Sequence, residues 1–165
     1  MNRVRFIRVH QASYAGVRRI TFLFVNGQRI RELFTAGSTA EDAGTCRSST
    51  HFQNPLRPWI YAGIEESLTG WCLNYRQPNS SNQRSALTWG TGFETYAGPP
   101  VKRYIQTMGW DDARKYFYSA LTSNKNAVRE DNFAKTFQAV GQVMHLLQDM
   151  AVPAHVKNDF WSSVS

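Results

Sequence analysis

The chain has 165 residues, 42% apolar and 13% aromatic, enough to build the core of one domain; with 19% charged, it does not have the composition of a disordered chain. No apolar run approaches the length of a bilayer span, which excludes a transmembrane helix. The net charge of +7 is lopsided, because residues 1–34 hold seven arginines against the single acid Glu32, and a uniformly basic nucleic-acid binder is therefore excluded.

In chain order, the arginine-rich start divides a basic N-terminal helical segment, residues 1–35, from a second region, residues 36–165. An arginine-rich, acid-poor start is also the composition of an organelle presequence, whereas Ile20–Val25 is too short and too closely flanked by charge for a secretory signal. The longest strand-like alternation is Val4–Val9. Residues 14–34 read as a weak helix or pair of helices interrupted at Asn26-Gly27. Between about residues 73 and 107 turn chemistry dominates, as in Gln77-Pro78-Asn79-Ser80 and Ala97-Gly98-Pro99-Pro100, which predicts loop. A helix is predicted from Trp110 to Thr122, with Asp111 and Asp112 in its first turn and Ala113, Tyr116, Phe117 and Ala120 on one face. Ser123-Asn124-Lys125-Asn126 then connects it to an antiparallel partner. That partner is a long helix over Asn126–Met150, on which Phe133, Phe137, Val140, Val143, Met144 and Leu147 form an apolar stripe roughly 120° wide. Pro153 follows as a stop.

Two cysteines, Cys46 and Cys72, can pair in an oxidising compartment or stay reduced in the cytosol; with no CxxC, a thiolate zinc site is not available. The four histidines say more. His145 and Asp149 stand four apart on the long helix, so their side chains share a face about 40° wide, away from the apolar stripe. An imidazole beside a hard carboxylate suits zinc, although such a pair in isolation reads as an ordinary surface hydrogen bond. The continuation alters that balance: the helix ends at Pro153, and a second histidine, His155, returns beside it, where a second metal can share Asp149.

The run His145–His155 has the form HxxxDxxxPxH, and upstream lie Glu41-Asp42-Ala43-Gly44 and then His51-Phe52-Gln53-Asn54-Pro55. Over roughly residues 36–160 this order of motifs resembles the superfamily of zinc-dependent bacterial phospholipases C and single-strand-specific nucleases, and Pro55-Leu56-Arg57-Pro58-Trp59 looks closest to the phospholipase-like branch. The resemblance implies an all-α fold, a single multi-helix domain with long loops, in which residues 36–165 bind metal. It implies up to three zinc ions, one of them held by Asp42, His51, His145 and Asp149, with His155 contributing to a second. Asp42 is also the implied general base or water orienter, with Glu41 the alternative ligand, while His51 read alone is a buried histidine beside Phe52.

This chain departs from the pattern in three places. No histidine follows His155, so the family's later His–acid pair is missing; residue 1 is Met where family members start with a metal-binding Trp; and His10 is a candidate for the family's early histidine only at a short spacing. The site is thus one near-complete metal position and part of another, as in a fragment of a longer enzyme or a diverged relative. The exposed aromatics of Phe160-Trp161 near the end favour a fragment.

The resemblance implies a phosphodiester hydrolase using metal-activated water, on a lipid head group in preference to nucleic acid, with peripheral membrane contact, no stable protein partner and an extracellular or periplasmic location. One alternative is a nuclease that stacks bases on Trp59, Tyr61, Trp71 and Trp89. Another is a non-catalytic zinc-binding module whose arginines hold anionic lipid or nucleic acid.

Overall fold

The computed structural model describes residues 23–65, 72–76, 82–92 and 106–158. Its first element is not the helix expected before residue 30. Asn26 and Gly27 both take positive φ, 50° and 75°, as a two-residue hairpin turn demands, and they join strand β1, Phe24–Val25, to β2, Gln28–Arg29. Asn-Gly is the strongest short hairpin signal, and here it outweighs the weak helical periodicity around it. Val25 is buried by the fold, and the Asn26 amide donates to the Glu130 carboxylate.

Helix α1, Ile30–Glu41, starts directly after β2, with the Glu32 carboxylate accepting from the Arg29 amide at 3.1 Å. Its main partner is the long helix α5, Asn126–Asp149, which follows the predicted span within a residue. The two helices touch through glycine. A Cβ on Gly37 would lie 2.0 Å from the Gln138 carbonyl oxygen, and one on Gly141 would lie 2.3 Å from that of Phe34. Backbone therefore meets backbone, with the Phe34 and Phe137 rings packed edge to face at 5.5 Å alongside.

That contact corrects the predicted apolar stripe of α5. The residues it buries are Ala134, Thr136, Ala139, Gly141, Gln142 and Leu146, whereas Met144 and Leu147 are 46% and 56% exposed. Close approach of α1 selects the face with small side chains, and a count of large apolar residues cannot see that face. The rest of the stripe is half-buried, with Phe133 and Phe137 closing over Val25, Leu33 and Ala134.

Helix α4 spans Trp110–Thr122, as predicted, and packs on α5 across Ser123-Asn124-Lys125, with the Phe117 and Phe133 rings 6.1 Å apart. Within the stretch expected to be loop, a short helix α3, Ala86–Thr91, is capped by the Ser85 hydroxyl, which accepts from the Thr88 amide. Among the described residues there are also short helices α2, Thr45–Ser48, and α6, Pro153–Val156, and single 3-10 turns at Trp59–Tyr61 and Leu73–Tyr75. Cys46 and Cys72 form a disulfide that ties α2 to the second of these turns. Among the described residues the architecture is helical with one two-stranded hairpin, in agreement with the all-α class. No helix of the described residues is long and apolar enough to cross a membrane.

Candidate metal centre

Three segments converge at one end of the α1–α5 pair. Helix α1 ends at Glu41, with Asp42 as its C-cap in right-handed backbone conformation, so two successive acids leave the same helix end in different directions. From α2 the chain winds through a hydrogen-bonded turn. Ser49 Oγ donates to the Cys46 carbonyl at 2.7 Å, Thr50 Oγ1 to that of Arg47 at 2.8 Å, and the His51 amide to that of Ser48 at 3.1 Å. The turn buries His51 to 2% exposure. The last two turns of α5 bring His145 and Asp149 to the same point, and α6 returns His155 to it. Pro153 is the first residue of α6, and the His155 carbonyl accepts from the Gln53 amide at 3.1 Å, so the return is anchored to the His51 segment.

Asp149 Oδ2 is the hub. It lies 2.8 Å from His51 Nδ1, 3.2 Å from His145 Nε2 and 3.6 Å from His155 Nδ1. Asp42 Oδ1 closes the set at 3.4 Å from His145 Nε2 and 3.8 Å from His51 Nδ1. Asp42, His51 and His145 form a triad able to hold a metal ion, each offering a ligand atom within 4.8 Å of the others. Ligands about 2.0–2.1 Å from a tetrahedral zinc stand about 3.3 Å from one another. The four contacts between the imidazoles of His51 and His145 and the carboxylates of Asp42 and Asp149, at 2.8, 3.2, 3.4 and 3.8 Å, scatter about that value. A second observation fits a cation as well: Asp149 Oδ2 is buried facing three imidazoles, and His155 Nδ1 is buried with no hydrogen-bond partner among the described residues.

Glu41, the neighbour of Asp42, turns the other way. It is fully buried, with Oε2 accepting from Arg47 at 2.7 Å and Oε1 from the Trp89 indole at 2.6 Å. Arg47 also reaches Gln142 on α5 at 2.7 Å and lies over the Trp89 ring. The choice between the two acids thus resolves geometrically: Asp42, 62% exposed at its side chain, faces the histidine cluster, and Glu41 stands behind it. Burial raises the Glu41 pKa, but His51, Arg47 and Trp89 together overcome it and hold the carboxyl below its usual range. Burial likewise opposes charge on His51, yet the Asp149 and Glu41 carboxylates outweigh it and lift the imidazole to about 9. For His155 burial prevails and pushes the pKa down.

Of the aromatic residues weighed as a stacking platform, Trp59 and Tyr61 are 44% and 45% exposed. Trp89 is not available for stacking, because it is buried and its N–H is committed to Glu41. Trp71 and His10 lie outside the described residues. Sequence reasoning missed Arg47, Trp89 and Gln142 around Glu41, and Ser38, whose Oγ lies 3.4 Å from His145 Nδ1. Ser38 alone carried a signal: it sits four residues before Asp42, hence on the same face once α1 is known to be helical. Comparison with protein-family models, with curated proteins and with solved structures finds no match for this chain.

Proposed function

We propose that this chain is a zinc-dependent phosphoesterase with a phospholipase C-like fold, cleaving phosphodiester bonds with metal-activated water. The observation that carries the reading is the convergence of Asp42, His51 and His145, with ligand atoms within 4.8 Å of one another, and of Asp149 Oδ2, 2.8 Å from His51 Nδ1 and 3.2 Å from His145 Nε2. These four residues would hold the first zinc, and His155, 3.6 Å from Asp149 Oδ2, would help to hold a second shared through Asp149. Zinc bound there supplies Lewis acidity toward a phosphoryl oxygen and brings a water pKa near neutrality. Asp42 combines contact with the cluster and exposure to solvent, so it is the carboxylate suited to orient that water and accept its proton. The other ligands are shielded, which leaves the Asp42 side as the substrate face. The Cys46–Cys72 disulfide supports an oxidising, exported location.

Metal analysis and hydrolysis assays test this reading. The expected outcome is stoichiometric zinc and hydrolysis of a phosphatidylcholine analogue that is lost on chelation and restored by zinc. His145→Ala should abolish both zinc uptake and turnover. Protein that binds no zinc refutes the reading. The exposed Trp59 and Tyr61 give the nuclease alternative its one support, and a parallel assay on single-stranded DNA separates the two. Zinc-dependent thermal stability without hydrolysis of either substrate identifies a non-catalytic metal module instead.

A further inference from the structure

The two central histidines meet the carboxylates through different nitrogens. His51 presents Nδ1, 2.8 Å from Asp149 and 3.8 Å from Asp42, which leaves Nε2 at its back. His145 presents Nε2, 3.4 Å from Asp42 and 3.2 Å from Asp149, which leaves Nδ1 at its back. A neutral imidazole that gives one lone pair to a metal carries its proton on the other nitrogen. With a metal at the cluster, the two rings therefore take opposite tautomers, Nε2–H on His51 and Nδ1–H on His145. Each rear N–H is buried or nearly so, and a ligating histidine is held best when that proton has a fixed acceptor.

Both acceptors stand on α1, three residues apart. Ser38 Oγ is 3.4 Å from His145 Nδ1, and Glu41 Oε1 is 3.7 Å from His51 Nε2. Glu41 cannot swing away, because Arg47 and Trp89 each hold one of its oxygens and Arg47 is itself bound to Gln142 on α5. His51 Nε2 is a buried polar atom with no hydrogen-bond partner of its own, and this carboxylate faces it. Ser38, Glu41 and Asp42 thus place one direct ligand and two rear acceptors along a single helix edge.

We propose that α1 positions both histidines from behind, Glu41 holding the Nε2–H tautomer of His51 and Ser38 the Nδ1–H tautomer of His145. The inference rests on the metal-site reading above. Both are positioning residues: neither touches the ion or the substrate, and each acts by fixing the ring and tautomer of a ligand.

The test is zinc affinity by chelator competition for the full chain, Ser38→Ala and Glu41→Gln, with the histidine side-chain nitrogen–proton spectrum of the zinc-loaded chain and the visible absorption of the cobalt-substituted proteins. In the zinc-loaded chain, His51 is expected as Nε2–H and His145 as Nδ1–H. Each variant should bind zinc about 10–100-fold more weakly and shift the cobalt band. Metal-free Ser38→Ala should melt as the unaltered protein does, since a purely structural loss would lower that melting temperature. If Glu41→Gln does not fold, Ser38→Ala and the two tautomers decide. The same tautomer on both rings, or a folded variant with unchanged affinity and cobalt spectrum, overturns the proposal. An unaltered chain that takes up no zinc overturns the metal reading itself, a different result that removes the basis for both.

Discussion

In the metal-free protein His51 holds a proton between two carboxylates, and this has a definite sign in a stability measurement. Its folded pKa, about 9, exceeds the ordinary value of 6.5, so the stability it contributes is fully present below pH 6.5 and is lost as pH rises through about 9. The lowered pKa of His155 acts in the other direction, with stability lost as pH falls below 6.5, outside that window. Zinc held as proposed would require His51 deprotonated, so raising the pH should strengthen metal binding over the range in which the metal-free form weakens. Thermal melts between pH 6.5 and 9.5 should fall for chelated protein, and the gap between the zinc-loaded and chelated forms should widen. A chelated melting temperature that climbs across that range would count against this account of His51. At this scale the sequence was informative about which side chains meet, because Asp42, His51, His145, Asp149 and His155 sit in spaced motifs and come together in the fold. It was silent on Arg47, Trp89 and Gln142, which meet Glu41 from three separate elements and share no spacing with it. Glu41 and Asp42 could not be told apart until the end of α1 had set which acid turns toward the core.

One helix pair brings the candidate metal centre together, and its packing is glycine on backbone. Gly37→Ala drives a methyl group to 2.0 Å from the Gln138 carbonyl oxygen, and neither helix can yield a backbone atom without moving as a body. Overpacking of this kind costs about 3 kcal/mol. Pushing α1 off α5 also carries Asp42 away from His145, so Gly37→Ala and Gly141→Ala should weaken zinc binding as well as stability. Gly27→Ala makes the matching control. It meets no atom within 4 Å but sits at φ 75°, so it should cost about 1 kcal/mol through backbone strain and leave zinc affinity unchanged. Urea unfolding with zinc titration on all three variants checks the contrast, and tight zinc binding by a folded Gly37→Ala protein would refute it. The same packing explains what could be read at this scale. Helices α4 and α5 announce themselves by length, by acids in the first turn of α4 and by the stop at Pro153. The buried face of α5 could not be read, because apart from Leu146 it is built from Ala, Thr, Gly and Gln. The hairpin before α1 was legible only in its Asn-Gly dipeptide, since two-residue strands leave no alternation to detect.

At the scale of the molecule, two cross-links act on the same corner of the fold, one covalent and one proposed to be metal. The disulfide spans a sequence separation of 26, and closing a loop of that size restricts the unfolded chain by about 3.5 kcal/mol. Replacing Cys46 and Cys72 together by serine should therefore lower unfolding stability by about that amount. Zinc held as proposed would bind the folded form through residues from α1, the His51 turn and α5, which separate on unfolding, and so would stabilise by mass action: about 2.7 kcal/mol at a hundredfold excess over its dissociation constant. If the two links act independently, the zinc-loaded double-serine protein should come within about 1 kcal/mol of the metal-free, disulfide-bonded one. Independence is the point at issue, because Cys46 adjoins Arg47, and Arg47 holds the Glu41 carboxylate behind His51. Chelator competition on the double-serine variant separates the cases. Unchanged zinc affinity means that the α1–α5 packing assembles the centre unaided and the disulfide adds stability alone. A fall of tenfold or more means that the disulfide holds Arg47, and through Glu41 the His51 ring, in register. We expect the first outcome, because Arg47 is also held by Gln142 on α5 and by the Trp89 ring, contacts that do not run through Cys46.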